Sequence, residues 1–275
     1  MAYGKDNIIL NNDTYIPSIG LGTSLVNGNE CIRIIKNALE IGYRHIDTAS
    51  VYENEVEIGQ AIKQSGLNRK DLFITSKVWK DSMGYDSTLK SFENSLKKLG
   101  LDYIDLFLIH WPNNKDENLN IETWRALEKI YKDGKVKAIG VSNFLKHHLE
   151  NLLDNCDIVP MVNQIEFHPG LIRKETIEFC NEKDIVVEAW APLGKGKMLT
   201  NETLTRVAQK YNVSTAQLCL KWCLQNNVIP LPKSENKERM QQNLDVFDFE
   251  ILEEDMDLIN NMEFFAGSDM DPNKS

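Results

Sequence analysis

Short, continuous apolar runs alternate with longer segments of mixed polarity along most of this 275-residue chain. Residues 104–110, IDLFLIH, are typical of a buried strand, whereas residues 53–64 place their apolar side chains on one face of a helix. The runs that predict strands are residues 18–20, 43–47, 72–77, 104–110, 138–142, 161–166, 186–191 and 228–231. The segments that predict helices are residues 30–41, 53–64, 85–99, 121–133, 145–153, 173–183, 203–211 with 215–225, and 238–244.

The predicted strands are continuously apolar and do not alternate with polar residues, as a parallel sheet covered by helices requires. Eight strand–helix units in succession predict an α/β fold, a (β/α)8 TIM barrel. A doubly wound open sheet is the alternative. That fold normally has a glycine-rich phosphate loop after its first strand, and residues 19–23, IGLGT, lack the third glycine of that fingerprint.

Further elements are predicted at both ends of the barrel. Residues 8–10 and 15–16 flank the turn-forming sequence NNDT and predict an N-terminal β-hairpin. Residues 253–262 predict an extra C-terminal helix, and the polar segment 266–275 is expected to fray. Because no linker-like change of composition divides the chain, residues 1–275 are predicted to form a single barrel domain.

Composition and charge narrow the range of partners. Hydrophobic residues make up 42% of the chain and charged residues 26%, which is enough apolar material for a sizeable core. The formal net charge of −10 argues against a nucleic-acid or anionic-membrane partner, while a small anionic ligand would need its own local cations. No apolar run approaches membrane-spanning length and the N-terminus lacks the features of a signal peptide, so we expect a cytoplasmic monomer.

The five cysteines are widely spread and are expected to be reduced thiols. Cys219 and Cys223 share one face of a predicted helix, but no further cysteine or histidine of suitable spacing accompanies them. Buried packing is therefore favoured over metal binding at this pair, and we predict no metal site.

Polar side chains stand at the ends of most predicted strands. Asp47 and Tyr52 lie in the loop between the second strand and its helix, on the barrel face where catalytic side chains converge. The others are Lys77, His110, Ser142, Asn143, Gln164, Glu166, Lys233 and Ser234. Each residue alone has an ordinary interpretation as a helix cap, a packed residue or a surface residue. Their shared placement at one mouth of the barrel predicts a functional site.

A series of motifs supports a more specific interpretation. In chain order they are GYRHIDTAS (42–50), YENE (52–55), ITSKVW (74–79), LDYIDLFLIHWP (101–112), GKVKAIGVSNF (134–144), VNQIEFHP (162–169), APLG (191–194) and LPKSENKERMQQN (231–243). With these motifs the chain resembles an aldo-keto reductase over nearly its whole length, and is similar to the compact microbial diketogluconate and methylglyoxal reductases.

The resemblance implies a catalytic tetrad of Asp47, Tyr52, Lys77 and His110. Carbonyl reduction needs a proton donor at the carbonyl oxygen, and a tyrosine with an ordinary pKa of about 10 is a weak acid at neutral pH. An ammonium at Lys77 favours the phenolate and is expected to lower the pKa of Tyr52, while Asp47 holds Lys77 in place. His110 is expected to orient the carbonyl or to assist the proton transfer.

The resemblance also implies a bound nicotinamide cofactor, because no side chain donates a hydride. Its ring is expected to face Trp190, where many relatives have tyrosine, and the small residues of loop 191–196 are expected to follow the pyrophosphate with their backbone amides. The remaining expected contacts near the nicotinamide and the pyrophosphate are Thr23, Ser142, Asn143, Gln164, Ala191, Pro192, Leu193, Gly194 and Gly196.

A cluster around the start of the last barrel helix supplies the local cations that an anionic ligand needs. Lys233, Ser234 and Arg239 surround a helix N-terminus, which favours anions, and the arginine fork matches phosphate oxygens. A terminal 2′-phosphate fits there, so NADPH/NADP+ is predicted in preference to NADH. The resemblance adds Gln242 and Asn243 near the adenine.

The substrate pocket is the least specific part of the prediction. Trp79 and Trp111 are expected to line it, with Ser24 where many relatives have an aromatic residue. A short loop after Trp111 and the few residues after Phe265 predict an open site that accepts small aldehydes, dicarbonyls or keto sugars. Two other functions stay open at this point: a cofactor-bound sensor or regulatory subunit on the same barrel, and a phosphate-binding isomerase, which would give no role to Trp190.

Overall fold

The structure, a computed structural model, describes residues 7–268 and 270–274. Its strands are β1 (Asn7–Ile9), β2 (Tyr15–Pro17), β3 (Leu21–Gly22), β4 (His45–Asp47), β5 (Phe73–Val78), β6 (Ile104–Ile109), β7 (Val136–Ser142), β8 (Val162–Glu166), β9 (Val186–Trp190) and β10 (Val228–Leu231). Its helices are α1 (Gly28–Ile41), α2 (Glu55–Ser65), α3 (Tyr85–Leu99), α4 (Glu117–Lys132), α5 (Lys146–Leu153), α6 (Lys174–Glu182), α7 (Glu202–Lys210), α8 (Thr215–Gln225), α9 (Lys237–Leu244) and α10 (Glu253–Asn260).

Strands β3 to β10 lie side by side in chain order, and each is parallel to the next. The two outer strands of this sheet meet because the amides of Gly20 and Gly22 donate to the carbonyls of Pro230 and Pro232, both at 3.1 Å. This close approach needs glycine, since a Cβ at Gly20 would lie 2.6 Å from the Leu231 side chain. The predicted TIM barrel is thus confirmed.

Two predicted boundaries are corrected. The first barrel strand was expected at residues 18–20, but Leu21 and Gly22 form it, since they pair with Ile46 and Asp47 of β4. Helix α4 begins at Glu117 and not at residue 121, because the side chain of Asp116 caps its first turn by accepting from the amide of Asn118 at 3.1 Å. The remaining elements lie close to their predicted positions.

The predicted hairpin is present and contacts the barrel at the amino-terminal ends of its strands. Strands β1 and β2 pair antiparallel, with Ile8 opposite Ile16. The Asn12 side chain of the intervening turn donates to the carbonyl of Lys137 at the start of β7 at 2.9 Å. The hairpin thus covers the end of the barrel opposite the predicted functional mouth.

Described residues of the C-terminal segment, which was expected to fray, contact the barrel mouth. Ser268 donates its amide and its hydroxyl to the carboxylate of Glu166 at the end of β8, both at 2.7 Å. Pro272 is buried, and its carbonyl accepts from the side chain of Asn114 in the loop after β6 at 2.6 Å. These two attachments hold the segment in place, whereas residues 1–6, Asp269 and Ser275 lie outside the described part of the chain.

The cavity at the hairpin end of the barrel does not coincide with the strand-end cluster. It has a volume of about 610 Å³ and lies between Tyr15, Arg44 and Asp105. Within residues 7–268 and 270–274, no group of three or more histidine, cysteine, aspartate or glutamate side chains is arranged to hold a metal ion. No helix in that same part of the chain is long and apolar enough to cross a membrane.

Candidate active site

An ion pair is buried at the carboxyl ends of β4 and β5. Lys77 is fully buried, and its Nζ donates to Oδ1 of Asp47 at 2.7 Å and to the carbonyl of Thr48 at 2.9 Å. Burial lowers the pKa of Lys77, but the charge of Asp47, the neighbouring Tyr52 and the hydrogen bond to Asp47 outweigh burial and leave it above its ordinary value. Lys77 is therefore positively charged in the barrel. Removing Asp47 would leave this buried charge uncompensated.

Tyr52 lies beside this ion pair. It ends a short 3-10 turn, Ser50–Tyr52, that begins three residues after the end of β4, and its ring centroid is 5.2 Å from the Lys77 Nζ. Burial raises the pKa of Tyr52, and the charge of Lys77 and a hydrogen bond from Ser24 offset that rise only in part. The expected lowering of this pKa is corrected: desolvation exceeds the effect of the cation, so Tyr52 is protonated at neutral pH.

His110 follows β6 and completes the group predicted as a tetrad. Its ring is 5.6 Å from the Tyr52 ring and 5.0 Å from the Trp79 ring, in both cases edge to face. Burial and the charges of Lys77 and Lys80 hold the pKa of His110 well below 6.5. The imidazole is therefore neutral and suited to donate a single hydrogen bond to an oxygen atom.

The amides predicted to meet a nicotinamide lie at the ends of β7 and β8. Asn143 has a φ of 64°, and its side chain donates to the His110 carbonyl at 2.9 Å and accepts from Nε1 of Trp190 at 2.8 Å. Ser142 donates to the carbonyl of Gln164 at 2.8 Å. The structure thus brings Ser142, Asn143, Gln164 and Trp190 together next to His110.

Gln164 connects this group to a second buried carboxyl that the sequence interpretation missed. Its Nε2 donates to Oδ2 of Asp47 at 2.8 Å and to Oε2 of Glu188 at 2.9 Å. Glu188 lies within β9 and is fully buried, and Nε2 of the equally buried His45 is 3.7 Å from its Oε1. The sequence does contain a signal, since Glu188 interrupts an otherwise apolar strand segment.

The protonation of Glu188 follows from this environment. Burial, together with the nearby charge of Asp47, raises its pKa from 4.5 to about 8, although the Gln164 hydrogen bond and Lys77 oppose the rise. Burial and the charge of Lys77 lower the pKa of His45 to about 3. Both side chains are therefore uncharged at neutral pH, which limits the free-energy cost of burying them next to the Asp47–Lys77 ion pair.

We expect Glu188→Gln to change how stability depends on pH. The raised pKa means that the folded protein favours protonated Glu188. The resulting contribution to the free energy of unfolding is complete below pH 4.5 and is lost as pH rises toward 8. At about 1.4 kcal/mol per pKa unit, the loss is at most about 5 kcal/mol. Urea unfolding at a series of pH values should show the variant gaining stability relative to the wild type between pH 5 and pH 8.

Glu178→Gln is the matched control for that measurement, because it removes a carboxyl from the exposed face of α6. Parallel stability curves for the wild type and Glu188→Gln across this pH range would show that Glu188 is ionised in the folded protein.

The predicted phosphate site lies between β10 and α9. The side chain of Asn236 caps α9 by accepting from the amide of Arg239 at 2.8 Å. Arg239 and Lys233 are exposed, and Lys233 also pairs with Glu235 at 3.1 Å, a carboxylate that the sequence interpretation did not consider. Of the residues predicted near the adenine, Asn243 is buried and Gln242 is exposed. Lys233 and Arg239 therefore lie exposed near the amino-terminal end of α9.

The predicted pyrophosphate loop follows β9 in a left-handed conformation. Ala191, Gly194 and Gly196 have φ values of 50°, 53° and 91°, so glycine suits two of these three positions. The amides of Gly194 and Gly196 donate within the loop, to the carbonyls of Ala191 and Leu193, both at 2.8 Å. Pro192 has no amide hydrogen to donate. Thr23, another predicted cofactor contact, is buried, and its hydroxyl donates to the Asp47 carbonyl at 2.9 Å.

Three tryptophans, Trp79, Trp111 and Trp190, lie beside His110 and one another at the mouth of the barrel. Trp79 contacts His110, and the rings of Trp111 and Trp190 lie 6.5 Å apart. Ser24, predicted in the substrate pocket, lies within hydrogen-bonding reach of Tyr52. The structure therefore places the three predicted substrate residues, Ser24, Trp79 and Trp111, around Tyr52 and His110.

Comparison with known proteins identifies the family of this barrel. Residues 18–263 match the model of the aldo/keto reductase family. The chain is 53% identical over 257 residues to a glyoxal reductase of Bacillus subtilis, which covers 93% of this chain and 92% of that protein. A crystal structure of an aldo/keto reductase from Brucella melitensis superposes with a TM-score of 0.89 at 44% identity, covering 93% of this chain and 98% of that one.

A second solved structure adds a cofactor to the comparison. The aldo-keto reductase of Bombyx mori, determined in complex with NADP, superposes with a TM-score of 0.87 at 36% identity, covering 93% of this chain and 92% of that one. The family match, the identities and the barrel agree with one another and with the motifs in the sequence. This chain belongs to the aldo/keto reductase family and is an oxidoreductase.

Proposed function

We propose that this protein reduces small aldehydes, dicarbonyls or keto sugars to alcohols with NADPH. The observation that carries the proposal is the buried Lys77–Asp47 ion pair beside a protonated Tyr52 and a neutral His110. When bound, the nicotinamide supplies the hydride. The side chains of this chain then need only to position the carbonyl group and to move a proton.

Tyr52 is the proposed proton donor to the carbonyl oxygen. Its hydroxyl is protonated at neutral pH, and the adjacent ammonium of Lys77 stabilises the phenolate that remains after the proton has moved. Asp47 holds that ammonium at 2.7 Å. The neutral His110 donates a hydrogen bond to the same carbonyl oxygen and so orients the substrate.

The described residues fit a dinucleotide at two separated points. Gln164 directs both hydrogens of its amide to Asp47 and Glu188, which leaves its oxygen as an acceptor for a carboxamide N–H. The exposed Lys233 and Arg239 at the start of α9 are suited to a terminal phosphate. The Bombyx mori relative, solved with NADP, supports this choice of cofactor.

A panel of carbonyl compounds tests the proposal directly. Glyoxal, methylglyoxal, benzaldehyde and a keto sugar should each be tested for loss of NADPH absorbance, with an alcohol product identified by mass spectrometry. The similarity to a glyoxal reductase favours the dicarbonyls in this panel. NADPH binding without consumption by any compound would contradict the proposal and favour the cofactor-bound sensor instead.

A further inference from the structure

A cation at the mouth of the site has no role in the proposed proton transfer. Lys80 begins the short 3-10 turn after β5, and its Nζ lies 5.3 Å from the ring centroid of Trp111 and 5.9 Å from that of Trp79. Both rings belong to the proposed substrate pocket. The charge of Lys80 also contributes to the low pKa of His110, which places the ammonium within electrostatic reach of the reacting carbonyl.

A second cation lies close to the first. Lys115, in the loop after β6, contributes with burial to lowering the pKa of Lys80. Among the described residues, neither ammonium forms an ion pair with a carboxylate. The acidic neighbours in sequence have other partners: Asp81 accepts from the hydroxyl of Ser82, and Asp116 caps α4.

The arrangement is unusual for a chain with a formal net charge of −10. Like charges repel each other, so two unpaired ammonium groups near one another are stabilised when an anion binds between or beside them. A local positive field also attracts anionic substrates to a site on an otherwise acidic protein. The tryptophan faces next to Lys80 offer an apolar contact for the uncharged body of such a substrate.

We propose that Lys80 determines specificity by binding the carboxylate of oxo-acid substrates, which carry this group several bonds away from the carbonyl that is reduced. The carboxylate and the reacting carbonyl must be separated because the Trp79 ring lies between their partners: it contacts the Lys80 ammonium and also the ring of His110, which orients the carbonyl. Lys115 strengthens the positive field at the same position. The inference rests on the proposed function, because it assigns the substrate class of that same site.

Two aldehydes of nearly the same shape, one anionic and one neutral, isolate the effect of the substrate's negative charge on kcat/KM. 4-Carboxybenzaldehyde and the nearly isosteric, neutral 4-formylbenzamide should be compared by kcat/KM in the wild type and in Lys80→Met. We expect the ratio for the anionic over the neutral aldehyde to fall about three- to tenfold in the variant, mainly through KM, because the contact is partly exposed and binds substrate and transition state alike. Lys80→Arg should retain the wild-type ratio.

Two controls accompany this comparison. Lys90→Met removes an exposed lysine from α3, outside the tryptophan cluster, and should leave the ratio unchanged. Raising the salt concentration should lower the ratio in the wild type and have little effect in Lys80→Met, since salt screens exposed charges. The same ratio in the wild type and in Lys80→Met would overturn the assignment.

A binding measurement separates this inference from the proposed function. Terephthalate and its neutral diamide should be titrated against tryptophan fluorescence, because Lys80 contacts two tryptophans. Stronger binding of terephthalate that is lost in Lys80→Met supports the anion site even if neither aldehyde is reduced. Reduction of both aldehydes with equal binding of the two compounds would leave the proposed function intact and refute the role of Lys80.

Discussion

Replacement of Tyr52 by phenylalanine should lower kcat by about 10²- to 10⁴-fold, the range that a positioned general acid contributes. The change removes only the hydroxyl that is proposed to donate the proton. Lys77 keeps its hydrogen bonds to Asp47 and to the Thr48 carbonyl, so the ion pair and the fold should persist. Single-turnover kinetics with saturating NADPH, and a dissociation constant for NADPH from fluorescence titration, measure the two effects separately.

The dissociation constant for NADPH should stay close to that of the wild type, because the proposed cofactor contacts do not include the Tyr52 hydroxyl. Tyr85→Phe, at the partly exposed start of α3, removes the same group elsewhere and should leave turnover unchanged. If Tyr52→Phe retains most of the wild-type rate, another group donates the proton. His110 would then be the nearest candidate, since its ring lies 5.6 Å from that of Tyr52.

Replacement of Arg239 by alanine should weaken NADPH binding about 10- to 100-fold and leave NADH binding nearly unchanged. The two cofactors differ only in the 2′-phosphate, and a hydrogen bond to a charged group is worth roughly 1.5–3 kcal/mol, with tenfold in affinity for each 1.4 kcal/mol. Arg239 is exposed, so high salt should weaken NADPH binding more in the wild type than in the variant. Dissociation constants for both cofactors at two salt concentrations provide the measurement.

Arg125→Ala is the matched control for this experiment, because it removes an exposed arginine from α4, which packs outside β6 and β7 on the other side of the barrel. It should affect neither cofactor. An equal loss of affinity for NADPH and NADH in Arg239→Ala would assign Arg239 to the fold or to the adenine, and the proposed preference for NADPH would be withdrawn.

The order of apolar runs along the chain was sufficient to predict the barrel. Continuously apolar segments such as residues 104–110 can be buried on both faces only in a sheet covered by helices, and their alternation with helical segments leaves few other topologies. The barrel also explains why residues at strand ends could be predicted as one site: parallel strands bring Asp47, Lys77 and His110 to the same mouth.

The contacts of Gln164 and Glu166 with distant parts of the chain were decided by the tertiary structure. Gln164 contacts Asp47 across 117 positions of sequence and shares its amide with Glu188, whose buried partners cannot be recognised from the apolar residues beside it in the sequence. Residues 266–275 were expected to fray because they are polar. The buried carboxylate of Glu166 holds this segment through Ser268, and such a partner cannot be recognised from local sequence.

Burial also decided the direction of the pKa shift at Tyr52. The sequence predicted the neighbouring cation, Lys77, and therefore a lowered pKa. In the structure Lys77 is fully buried and Tyr52 lies beside it, and the cost of desolvating a phenolate exceeds the attraction of the ammonium, so the pKa of Tyr52 rises. The sequence by itself thus determined the fold, the family and the set of strand-end side chains that share one mouth of the barrel. Only the tertiary structure decided their protonation and their buried partners, because both depend on how completely distant segments exclude water.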